Sequence, residues 1–73
     1  MGRVVVLGES LVVAPFALAG AITFPADDPD SVRGRWEALP DDTSVVILSP
    51  AAATALGALP AGRPDLLTVT MPP

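Results

Sequence analysis

The 73-residue chain contains no cysteine, no histidine and no lysine. The lack of cysteine excludes disulfides, thiol redox chemistry and thiolate ligation of zinc. The lack of histidine removes the Cys–His and Ser–His pairs that activate a nucleophile. A phosphate-cradling P-loop needs a lysine and has none. Positive charge is confined to Arg3, Arg33, Arg35 and Arg63 against 8 acidic residues, a formal net charge of −4. Four scattered arginines do not build the basic patch that a phosphate backbone requires, so nucleic acid is not an expected partner. The same balance argues against docking on anionic lipid. No uninterrupted apolar run reaches the ~18 residues of a membrane span, so direct membrane insertion is not expected.

What remains is a short, apolar chain. Hydrophobic residues make up 51% of it, enough for a core. Residues 1–73 are read as a single domain. A domain this small buries only about 60% of the surface its unfolded chain exposes, so tight packing or a partner must stabilise it. Residues 1–19 also permit a targeting reading: Arg3, an apolar stretch and Ala17-Leu18-Ala19 fit a cleaved leader. Glu9 divides that stretch, and cleavage would remove the clearest strand, so the segment is assigned to the fold.

Three apolar runs have strand length: Val4–Leu7, Val45–Leu48 and Leu66–Val69. The first two are continuous and rich in β-branched residues, the pattern of strands buried on both faces of a parallel sheet. Ala21–Phe24 is a fourth, with Pro25 ending it and placing it at a sheet edge. Between the strands lie helix starts. Asp28 followed by Pro29 reads as an N-cap and first helical residue, with Val32, Trp36 and Leu39 on one stripe and Pro40 as the stop. Ser49-Pro50 repeats the signal ahead of an alanine-rich helix that ends near Gly57 and Pro60. After the first strand, two readings stand open. Either Ser10 caps a helix through Pro15 to Ala19 with Gly20 as its left-handed stop, or a turn leads to a short helix from Pro15.

The resulting β-α-β-α-β-α-β order predicts an α/β fold: a small, doubly wound, four-stranded parallel sheet in the order 2-1-3-4 with three helices, receiver- or flavodoxin-like. That order puts the first helix on one face and the other two on the opposite face. The sheet face under the third and fourth strands is then expected to be half bare, a partner site.

Ligands of open α/β sheets sit at the carboxyl ends of the strands. Gly8 alone does not make a dinucleotide fingerprint. A phosphoacceptor would need an acidic pair after the first strand, an aspartate where Ser49 stands, and a lysine. Asp27, Asp28 and Asp30 are a candidate weak cation cluster, read instead as charge favouring a helix start. Ser10 has no base to make it a nucleophile. No catalytic, cofactor or metal site is therefore expected. Aromatic and exposed apolar residues remain as contacts; Trp36 is assigned to the core by its spacing, and the candidate partner-binding residues are Phe16, Leu18, Val46, Val69 and Met71.

Val4-Val5-Val6-Leu7-Gly8-Glu9 followed by Pro15-Phe16-Ala17-Leu18-Ala19-Gly20 resembles the opening of the F subunits of V-type (A/V-type) ATPases. Those start with a strand ending in a Gly-acidic step, then a helix with a pattern like G-F-R-L-A-G. The likeness continues through Asp27-Asp28-Pro29, the Val45–Ser49 strand and the closing Leu67–Pro72 segment. It implies a receiver-like domain without catalysis, part of the rotating central stalk and bound to the helical stalk subunit. The parent complex would couple ATP hydrolysis or synthesis to ion transport, with the chain cytoplasmic and peripheral to the membrane. The alternative to the resemblance is a stand-alone protein-interaction domain of receiver-like topology that self-associates, as a homodimer, through the uncovered sheet face. Pro15 and Ala17 replace the Gly and Arg of the pattern. The family's C-terminal extension has no counterpart here, so no regulatory role is carried over from it.

Overall fold

The structure, a computed structural model, describes residues 2–73. The chain runs β1 (Arg3–Gly8), α1 (Ser10–Ala17), β2 (Ile22–Pro25), α2 (Pro29–Glu37), β3 (Thr43–Leu48), α3 (Pro50–Leu56) and β4 (Leu67–Thr70), with one 3₁₀ turn at Leu59–Gly62. The strands form one parallel sheet in the order β2-β1-β3-β4. This is the doubly wound α/β arrangement that the alternation of apolar runs and helix starts implies. β1 lies between two strands and its Val5, Val6 and Leu7 are fully buried, which is why that run is continuous rather than alternating.

Register sorts the side chains onto two faces. Val5 is level with Val46 and Leu7 with Leu48; Val4 is level with Val45 and Val6 with Ile47. Paired residues of parallel strands share a face, and neighbours along a strand alternate. Leu7, Val46 and Leu48 pack with Val32 and Trp36 of α2 and with Ala52 and Leu56 of α3 in one core, with Leu66 closing it and Phe24 partly buried against it. The crossover from β1 back to β2 puts α1 on the other face. There Val13 is the helix residue that is buried.

The two later helices start as their sequences dictate. Asp28 accepts from the Ser31 amide at 2.8 Å, and Pro29 follows as the first helical residue. Ser49 accepts from the Ala52 amide at 3.1 Å, followed by Pro50. Both hydroxyl or carboxylate caps satisfy an amide that has no partner within the helix.

α1 follows the first of the two readings, a helix running through Pro15 towards Gly20, and not a turn leading to a helix from Pro15. It starts at Ser10, keeps Pro15 inside and ends at Ala17. Ser10 is not its cap: Glu9 holds that position, without a side-chain capping bond. The closing turn still uses Gly20 as expected. Ala21 N donates to Phe16 O at 3.3 Å and Gly20 N to Ala17 O at 3.1 Å, with Gly20 at φ 84°. That pair of bonds is a Schellman closure, whose left-handed position glycine occupies without steric cost.

Candidate functional site

The carboxyl ends of β1, β2 and β3 gather Glu9, Ser10, Asp27, Asp28 and Ser49. Gly8 brings β1 so close to Ser49 that a β-carbon on it would stand 2.7 Å from the Ser49 Cβ. The fully buried Ser49 hydroxyl donates to Glu9 Oε1 at 2.5 Å while it caps α3. Asp27 reaches across to the start of α1, accepting from Ser10 N at 2.9 Å and from Ser10 Oγ at 2.6 Å. The cap that Ser10 does not provide is thus supplied by the loop after β2. Hydrogen bonds from the Ser10 hydroxyl and amide hold the Asp27 carboxyl below the ordinary aspartate value. Those from the Ser31 amide and hydroxyl do the same for Asp28.

Each of the two hydroxyls is thus bonded to a carboxylate, Ser10 to Asp27 and Ser49 to Glu9, in contacts that also tie the starts of α1 and α3 to the strand ends. A cavity of about 80 Å³ opens beside them, with Glu9, Asp27 and Asp28 at one side and Ala26, Val32 and Ala52 among its walls. Among the described residues no group of three or more acidic side chains is placed to hold a metal ion. The arginines are engaged elsewhere. Arg3 pairs with Asp42 at 2.6 Å, Arg33 with Asp30, and Arg63 with Asp65 at 3.2 Å. Arg35 lies 5.4 Å above the Phe24 ring.

The opposite face of the sheet has a different character. α1 covers β1 and β2 and leaves β3 and β4 open. Val45 and Ile47 are half-buried there. Leu67 is 61% exposed and Val69 44%. On the same side of the sheet, α1 presents Leu11 at 91% exposure with Ala14 and Pro15 also exposed, and Leu18, the residue that follows it, is 94% exposed. From Ser10 to Ala26 no residue is charged, and none from Leu66 to Pro73. The half-bare face expected from the strand order is present.

The candidate contact residues divide accordingly. Leu18 and Val69 lie on this open face, and Phe16 is half-buried on α1. Met71 is half-buried beyond β4, where its amide donates to Leu48 O at 2.8 Å and extends the pairing. Val46 is a correction: it is fully buried on the other face, in the core with α2 and α3, and offers no surface to a partner. Val46 is level with Thr68, whereas Ile47 is level with Val69, so Val46 and Val69 point to opposite faces. The strip residues that sequence reading passed over are Val45, Ile47 and Leu67, together with Leu11 on the helix. Two signals carried them: Leu67 stands two residues before Val69 on a strand, and Leu11 stands seven before Leu18 on a helix.

The fold and strand ends define a small doubly wound α/β domain whose acidic and hydroxyl groups serve helix starts, and whose open feature is an uncharged apolar face. No family model and no curated protein matches the chain. Among the described residues no helix is long and apolar enough to cross a membrane.

Proposed function

We propose that the chain is a non-catalytic docking subunit, and specifically a rotor component of the F-subunit kind in the central stalk of a V-type ion-translocating ATPase. The observation that carries the docking role is the uncharged face formed by α1 and the open strip over β3 and β4. An exposed apolar patch bordered by polar surface marks an interaction site. The likeness of Val4–Glu9, Pro15–Gly20 and the closing strand to F subunits supports the particular assignment. On this reading the face seats the helical stalk subunit, and the chain acts in the cytoplasm, held at the membrane through the complex. It transmits rotation between the ATPase head and the membrane sector and takes no cofactor.

The test is co-purification of the tagged chain from detergent-solubilised source cells, with mass spectrometry of what elutes. Head and stalk subunits of the ATPase are expected with the native chain and are expected to be lost with Leu67→Asp. Elution of the chain without those subunits overturns the rotor assignment.

A further inference from the structure

α1 is held to the fold differently from the other two helices. α2 and α3 each start on a cap of their own, Asp28 and Ser49, and each sinks two side chains into the core: Val32 and Trp36 from one, Ala52 and Leu56 from the other. That core takes no residue from α1. α1 has eight residues and buries one of them, Val13, where it lies against β1 and β2. Its cap position is Glu9, which makes no side-chain capping bond and accepts from the Ser49 hydroxyl instead.

The helix is also weak in itself. Pro15 has no amide, so the Leu11 carbonyl loses the donor it would meet one turn on. Helices shorter than about 12 residues are marginal in water even with favourable sequences. α1 is therefore helical because the rest of the fold holds it. Its packing covers Val6, which alternation places on the same face as Val4 and Ile47 and which is fully buried.

The fastening at its start comes from the loop after β2. Asp27 accepts from Ser10 N at 2.9 Å and from Ser10 Oγ at 2.6 Å. The Ser10 amide is one of the helix-start donors that have no partner within the helix. Asp27 itself is exposed, and the next residue, Asp28, caps α2 through bonds of its own. Breaking the Ser10 bonds thus leaves the start of α2 intact. At the other end, the closing bonds run between Phe16 and Ala21 and travel with the helix.

Proteins open in contiguous units, and the units with few buried contacts open most often. We propose that α1 is a flap: it leaves the sheet as a unit while the sheet, α2 and α3 stay folded, and the two bonds from Ser10 to Asp27 are the latch that sets how often it does so. Each opening uncovers Val6 and Val13. The motion belongs to the single chain and does not rest on the rotor assignment.

Native-state hydrogen exchange of the full chain, followed amide by amide by NMR, is the experiment. The Val13 amide, bonded to Glu9 O at 3.0 Å, is expected to be protected roughly tenfold less than those of Val46 and Ile47 in β3. In low urea its exchange is expected to rise with a slope that is above zero but shallower than theirs, because opening the flap exposes less surface than full unfolding. Ala53→Gly weakens α3 equally whether the flap is shut or open. It is expected to speed the β3 amides roughly fivefold, the helix penalty of glycine, and to leave Val13 unchanged. Asp27→Ala removes the latch and is expected to speed Val13 roughly fivefold, the usual loss for a helix cap. A Val13 amide protected as well as those of β3 overturns the proposal. So does a urea slope equal to theirs, a slope of zero, an acceleration by Ala53→Gly that matches β3, or indifference to Asp27→Ala.

Discussion

The two faces of one sheet are built to different degrees of completion. On the side of α2 and α3, nine residues close into one core, and Leu56 and Trp36 are nearly inaccessible. On the side of α1, Leu18 is 94% exposed, Leu67 and Val69 are exposed, and Val45 and Ile47 are only half-buried. Both faces are apolar in sequence. The difference is coverage: two helices span one side and a single helix of eight residues serves the other. The face that is complete accounts for the fold, and the face that is not leaves apolar side chains in solvent.

The contrast predicts unequal answers to the same chemical change. Leu56→Ala is expected to cost about 2–5 kcal/mol, the range for a buried leucine, and to leave a domain of this size largely unfolded. Leu18→Ala is expected to stay within about 0.5 kcal/mol in dilute, monomeric chain. Urea unfolding followed by circular dichroism compares them. An equal cost for both would mean that the α1 face is already covered in the single chain.

Gly8→Ala comes next, at about 1–3 kcal/mol, because its methyl must displace the buried Ser49 Cβ and the α3 start with it. The same denaturation curve measures it, and no loss would show that the two strand ends have room to separate. Ser49→Ala removes the α3 cap and the donor to Glu9 together, an expected cost of about 1–2 kcal/mol.

The acid limb tests the strand ends. Because the folded-state carboxyls of Asp27 and Asp28 titrate below the ordinary aspartate value, their stabilisation is present in full above that value. It is lost progressively as pH falls from about 4 down through the lower folded-state values. Asp27→Asn is expected to flatten the stability profile in that window when Trp36 emission is followed in an acid titration. An unaltered profile would mean that the Ser10 bonds do not persist in solution. The smallest effect belongs to Asp30→Ala, whose carboxylate is 92% exposed in its pairing with Arg33. No measurable shift in the urea midpoint is expected, since exposed ion pairs of this kind contribute little.

Much of the architecture was legible locally. Asp28-Pro29 and Ser49-Pro50 announce α2 and α3 because capping is a matter of adjacent atoms. Pro25 marks the edge strand because a residue without an amide cannot serve two ladders. The strand order followed from alternation and crossover hand, and with it the open face. Less was legible where distant segments meet. Ser10 has the chemistry of a cap, but the group that satisfies the start of α1 is Asp27, seventeen residues on. Val46 and Val69 each read as apolar strand residues, and only the pairing register separates a core residue from a surface one.

The sequence by itself determined the elements, their order and the chemistry excluded by its missing cysteine, histidine and lysine, because these depend on residue type and short spacing. Only the tertiary structure decided which apolar side chains are core and which are surface. A run such as Val45-Val46-Ile47-Leu48 is the same on both faces of its strand. Burial is set by the helix that lies above each face, and on one of them, over β3 and β4, the chain places none.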